Sequence, residues 1–332
     1  MEKEPGSPQI NIDPEQTEAG DASEEKQKLP KKITEKDLRP EIPEAGKTII
    51  VFQCNARDDR EPDTPREQIG ALTQESIEKI PADAKKFFNE IFNGLDETER
   101  EKVDVLVVAS DAKLITPEQI EDPNNKYQRA IETGKLVTEG LENSISEYSL
   151  SKNQLLNSSV KQEIKQKGPV GMSELKDLLM LNEEDQPRGP EFVEWLKEQS
   201  EKDGKNLWAA YEDDDYSEKR EEMEVEGPID ISNRVKCAME YLTEVSRMYH
   251  NSNPDKRLII WAVSHYDCMI PYIKRHIAGM NEKEAGPFVG ISKGAGITIE
   301  VGGRGENSTT QIGDRTHEFS LDAEKTQQSE AK

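Results

Sequence analysis

The sequence predicts an α/β protein: a three-layer α/β/α sandwich around a mostly parallel sheet with an antiparallel edge. Three observations lead to that class. Thr48–Phe52, Val103–Ala109 and Arg257–Val263 are short runs rich in β-branched and apolar residues, as in strands buried on both faces. Stretches with apolar residues at helical spacing separate them. Each run also turns polar abruptly at its C-terminal end, which is where open α/β sheets build ligand sites.

Residues 1–46 are rich in Glu, Lys, Pro, Gln and Ser, with isolated apolar residues only. Burial there is too small to offset ordering entropy, so a disordered acidic tail is expected, followed by a folded region over 47–313. Thr48–Phe52 is the first strand and leads into Gln53–Arg57. A charged loop with Pro62 and Pro65 follows. Thr73–Ile80 reads as a short helix with Thr73 as N-cap. Asp83–Phe92 reads as a second helix, with Ala84, Phe87, Phe88, Ile91 and Phe92 on one face. Val103–Ala109 is the second strand, ending in Ser110-Asp111. After a loop with Pro117 and Pro123, a helix is expected from about Lys126, striped by Ala130, Thr133, Val137, Leu141 and Ile145.

Residues 146–227 are polar, with apolar patches at Leu175–Leu181 and Phe192–Leu196. They read as a cap-like insertion of irregular helices and loops. The acidic run Glu212–Asp215 is expected to be solvated, the alternative being that it lends a carboxylate to the site. Helical periodicity returns over Ser232–Tyr249. Arg257–Val263 is the third strand and ends in Ser264-His265. Asp267 is expected to cap a helix over Met269–Ile277, with Pro271 in its first turn. Gly296–Val301 is a fourth strand, and Thr309–Ile312 pairs back as a hairpin. A second disordered tail is expected over 314–332.

The chain has 332 residues, with 68 acidic against 44 basic and a formal charge of −24. Such a charge excludes non-specific nucleic-acid binding but leaves room for a small anion held by a few converging arginines. An apolar share of 33% is low and implies sizeable unburied segments. Cys54, Cys237 and Cys268 are odd in number and show no metal-ligand spacing. No disulfide framework, metal or cofactor is expected. With neither a signal peptide nor a long apolar run, the expectation is a soluble, cytoplasmic protein with no membrane partner. The four histidines are His250, His265, His276 and His317, so none precedes position 250.

If the three strands are parallel neighbours, Cys54-Asn55-Ala56-Arg57, Ser110-Asp111 and Ser264-His265 share one crevice, and Arg129 opens the helix beside them. Two arginines and a histidine suit a phosphate group, since arginine offers a planar pair of donors and histidine a hydrogen bond or a proton. Each residue also has a plainer role. Arg57 pairs with Asp58 or Asp59 in a loop, Arg129 begins a helix, His265 bonds into a turn, and Asn55 favours one. His250, His276 and His317 are expected at the surface.

The order of these pieces resembles the histidine phosphatase superfamily, with its phosphoglycerate-mutase-like fold, over about Lys47 to Ile312. VFQCNARDD stands where that family has a strand and Arg-His-Gly, followed by Leu72-Thr73 with Ser76 at the place of a glycine. VVAS and then Arg129-Ala130-Ile131-Glu132-Thr133 match a strand ending in Ser and an Arg-Ala-x-x-Thr helix. Arg234-Val235, Val263-Ser264-His265 and Gly294–Glu300 complete the series. The resemblance implies a phosphate held by Arg129 and Arg57. It gives His265 a charge-stabilising or proton-donating role, and an acid–base carboxylate would fall to Glu183 or Glu184.

The departure lies at the centre. Alignment of the strand puts Cys54 at the arginine, Asn55 at the nucleophilic histidine and Ala56 at the glycine. A carboxamide cannot carry a phosphoryl group as an imidazole does. The expectation is therefore a member of that fold without phosphohistidine chemistry, binding a phosphorylated small molecule, a phosphoprotein or another protein partner. Two alternatives remain open. One is a phosphomonoesterase of altered mechanism, using Arg129 and His265 with water or Cys54 attacking. The other is an interaction scaffold acting through the tail and the insertion.

Overall fold

The computed structural model describes residues 29–56, 71–110, 129–150, 189–205, 207–280 and 289–322. At its centre is a six-stranded sheet. In chain order its strands are β2 (Thr48–Cys54), β3 (Val103–Ala109), β4 (Arg257–Ser264), β6 (Gly296–Glu300), β7 (Ser308–Ile312) and β8 (Arg315–Phe319). They lie side by side as β3-β4-β2-β6-β7-β8. β3, β4 and β2 are parallel, while β6, β7 and β8 form an antiparallel meander. The antiparallel part is thus half of the sheet. It is larger than the expected hairpin because Arg315–Phe319, assigned above to a tail, forms β8 and pairs with β7 from Ser308↔Phe319 to Ile312↔Arg315.

Each buried strand feeds both faces through its two-residue alternation. Ile49, Val51, Val105, Val107, Ile259 and Trp261 pack with α1 (Gln74–Asn93) and α3 (Arg129–Glu147); the short α2 (Glu97–Arg100) lies between α1 and β3 in the chain. Ile50, Phe52, Leu106, Val108, Ile260 and Ala262 face the other way, into a cluster with α7 (Pro228–Ser252) and α8 (Tyr266–Tyr272). The molecule is therefore mixed α/β with helices on both faces of the sheet. The expected stripe Ala130, Thr133, Val137, Leu141 and Ile145 is buried. Trp261 anchors the first face, with Phe87 at 4.9 Å and Phe88 at 5.4 Å between ring centroids. Such pairs add about 0.5–1.5 kcal/mol beyond area burial.

Several details differ from the sequence reading. The two expected helices over Thr73–Ile80 and Asp83–Phe92 are one helix, α1, with Thr73 as N-cap accepting from the Ser76 amide at 3.2 Å. Pro81 lies inside it. The missing amide removes one backbone bond, but Ile80, Pro81, Ala84, Phe87 and Phe88 are all buried, and that packing holds the two halves in line. The helix after β4 begins at Tyr266 with His265 at its N-cap, so Asp267 lies in its first turn rather than capping it. It continues as a π-helical turn, Ile273–Ile277.

Residues 29–46, read above as part of a tail, are ordered along the sheet. They contain β1 (Lys32–Ile33), which pairs in parallel with β5 (Gly290–Ile291). From the insertion, α4 (Gly189–Asp203) and α5 (Leu207–Tyr211) send Phe192, Leu196, Ala210 and Tyr211 into the α7 cluster, and Met223, directly after α6 (Ser217–Glu222), joins them.

A polar group sits at the N-terminal end of the sheet. Asp104 is 3% exposed, accepts from Lys256 Nζ at 3.0 Å, and also accepts from the Tyr249 hydroxyl. Burial and the Asp104 charge raise the Tyr249 hydroxyl well above its ordinary value, so it stays a donor. His250, expected at the surface, is half-buried. Its Nε2 lies 2.8 Å from Thr48 Oγ1, which in turn meets Ser246 Oγ at 2.6 Å.

Burial lowers the His250 pKa, so the folded state binds a proton there less readily than the unfolded chain. Stability from this residue is present above the unfolded value of about 6.5 and is lost as pH falls from there through the lowered folded value. The melting temperature should therefore drop more between pH 7.5 and 5.5 in the native chain than in His250→Gln. Parallel profiles would show that this contact does not titrate.

Candidate functional site

The C-terminal ends of β2, β3 and β4 lie together, and the backbone ladder extends past them. Cys54 is opposite Ser264 in the parallel register. The next amide, Asn55 N, donates to Ser264 O at 2.7 Å, and Ser110 N donates to Val263 O at 2.9 Å. Asn55, Ser110, Ser264 and His265 thus meet at one end of the sheet, each at most 2% exposed.

Arg129 reaches this end through α3. The Ala56 amide donates to Thr133 Oγ1 at 3.0 Å, and Thr133 Oγ1 donates to the Arg129 carbonyl at 2.8 Å. A single threonine therefore ties the first turn of α3 to the end of β2. Arg129 is 8% exposed. A buried guanidinium at the positive end of a helix favours negative charge nearby. Arg57, Asp111, Glu183 and Glu184 lie outside the described residues.

The opposite wall comes from the chain entering β6. Gly294 N donates to Asn55 O at 3.2 Å, and Cys54 N donates to Ala295 O at 2.8 Å. Gln53 Nε2 donates to Gly294 O at 2.8 Å, while Gln53 Oε1 accepts from Trp261 Nε1 at 2.8 Å. Gly294 has φ of +79°, and a Cβ on Gly296 would collide with Phe52 O and Gln53 Cα. This wall comes so close to β2 only because both positions are glycine. Sequence reasoning missed Gln53 and Thr133 as site-builders. The available signals were Gln53, a polar residue directly after an apolar run, and Thr133, the threonine of the Arg-Ala-x-x-Thr match.

Asn55 Nδ2 donates to Ala56 O at 2.9 Å, and its Oδ1 faces Cys54 Sγ at 3.9 Å. The amide closes on the local backbone, and its φ is not positive. It is neither a nucleophile nor a base. Cys54 is fully buried in the cluster that faces α8.

No protein-family model, curated protein or solved structure matches this chain. Among the described residues, no cluster of three or more His, Cys, Asp and Glu side chains is arranged to hold a metal ion, and no helix is long and apolar enough to cross a membrane.

The acidic run departs from expectation. Glu212 is buried and forms an ion pair with Lys274, with side chains 4% and 2% exposed, while Asp213 pairs with Lys205. Neither carboxylate is freely solvated. Burial raises the Glu212 pKa, and Lys274 opposes that rise. Removing one partner from such a pair strands a buried charge. Lys274→Met should cost about 3–5 kcal/mol in denaturant unfolding at pH 7, and adding Glu212→Leu should restore most of it. The single variant should recover stability as pH falls and Glu212 protonates. Equal loss in the single and double variants would mean that the pair is not coupled.

Proposed function

We propose that this chain binds a phosphorylated ligand at the crevice formed by β2, β3 and β4, and does so without covalent phosphoryl transfer. The observation that carries the reading is the joining of Asn55, His265 and the first turn of α3, with Arg129, at adjoining strand ends. Arg129 supplies a planar cation and His265 a hydrogen bond, while Asn55 occupies the centre with its amide turned to Ala56.

Three pieces of the resemblance to histidine phosphatases support this reading. Val263-Ser264-His265 adjoins the strand carrying Asn55, Arg129-Ala130-Ile131-Glu132-Thr133 opens the helix above it, and Gly294–Glu300 runs antiparallel beside it. Cys54 is fully buried with its thiol against Asn55 Oδ1 at 3.9 Å, and a thiol buried in apolar surroundings is a poor nucleophile, which counts against attack by Cys54.

Inorganic phosphate titrated calorimetrically at low ionic strength tests the reading. The native chain should bind it, and Arg129→Ala should weaken binding by about tenfold or more, as expected for one charge-assisted hydrogen bond. Arg304→Ala, at an 80% exposed side chain, should leave affinity unchanged. Equal affinity in the native chain and Arg129→Ala, or no phosphate binding by the native chain, would contradict it.

A further inference from the structure

The segment at 29–46 reaches the wall of the crevice through its own backbone. Gly290 N donates to Lys31 O at 2.9 Å, and Ser292 N donates to Ile33 O at 3.0 Å. Just beyond, Gly294 N donates to Asn55 O and Ala295 N donates to Ser292 O at 3.0 Å. The chain of bonds therefore runs from β1, through Ser292, to Asn55. Leu29 and Ile33 are buried in the same cluster as Val289 and Ile291, so apolar packing supports the pairing.

The same segment is bolted to the antiparallel half of the sheet. Asp37 is 5% exposed; it accepts from the Thr34 amide at 2.8 Å and from Gly313 N at 2.6 Å. Arg39 donates from its backbone to Thr298 Oγ1 at 3.1 Å, and Thr298 Oγ1 donates to Arg39 O at 2.7 Å. The Arg39 guanidinium donates to Gly313 O at 2.8 Å and also bonds Gln311. A solubilising tail has no use for a buried aspartate and an arginine whose contacts lie more than 250 positions away in sequence. Such bonds order a segment only when its position matters to the fold.

The geometry points to residues 29–46 as a strap that positions the Ser292–Ala295 wall against Asn55, so that docking of the strap and the shape of the crevice are coupled. Asp37 and Arg39 are positioning residues. They touch neither Asn55 nor His265, and they act through the strap's pairing with Gly290–Ile291. Whatever lifts this segment, such as a partner that engages the chain just before it, loosens one side of the crevice and leaves β3 and β4 intact. The inference does not depend on which ligand the crevice takes.

Hydrogen exchange in the full-length chain tests it, comparing the native protein with Asp37→Ala combined with Arg39→Ala. The Ser292, Gly294, Ala295 and Asn55 amides should exchange about tenfold faster or more in the variant, while the Val105 and Ile259 amides change less than about twofold. Equal acceleration at all sites would mean global destabilisation, and unchanged exchange at the wall would mean no coupling; either overturns the inference. Should the double variant fail to fold, Thr298→Val removes the hydroxyl that grips Arg39 with little change of volume. It is judged by the same contrast.

Discussion

The parallel register of β2 on β4 is the constraint on which the rest of the structure depends. It runs unbroken from Thr48↔Leu258 to Cys54↔Ser264 and continues one bond further, from Asn55 N to Ser264 O. A slip of one residue would turn Ile50 and Phe52 toward the wrong helical layer and carry Gln53 away from Trp261. It would also separate Asn55 from Ser264-His265. The fold thus uses its most buried apolar contacts to fix the separation of its polar ends.

Several buried polar groups bridge separate elements of the fold. Gln53 bridges Trp261 on one strand to Gly294 on the wall. Thr133 bridges α3 to Ala56, and Glu212 finds Lys274. Each bridge joins elements distant in sequence, and each would leave a desolvated group behind if one partner were removed. Gln53 and Thr133 thereby tie the Gly294 wall and α3 to the end of β2.

Much of the fold was legible because it is written in local periodicity. The runs at Thr48–Phe52, Val103–Ala109 and Arg257–Val263 and the stripe of α3 follow from the spacing of apolar residues alone. What was illegible depends on partners far along the chain. Residues 29–46 look like a tail because their few apolar and charged residues are useful only against β5, β6 and the β7–β8 turn. Arg315–Phe319 is mostly polar because β8 is an exposed edge. Glu212 reads as part of a solvated run until Lys274 is placed beside it. Of the candidate site, Asn55, Arg129 and His265 were found from strand ends and a helix start. Thr133 and the Gly294–Gly296 wall, which hold the site together, stood in matched motifs, but their bonds to Ala56 and Asn55 join positions far apart in sequence and could not be read from it.

The central claim is that the crevice binds phosphate without forming a covalent bond to it. Rapid quenching of the native chain with a generic aryl phosphomonoester, followed by mass mapping of every phosphorylated residue, tests this directly. The account predicts no phosphorylated side chain and no turnover above the uncatalysed rate. A phosphoryl group trapped on His265, Cys54 or any other residue, with multiple turnovers, would contradict it.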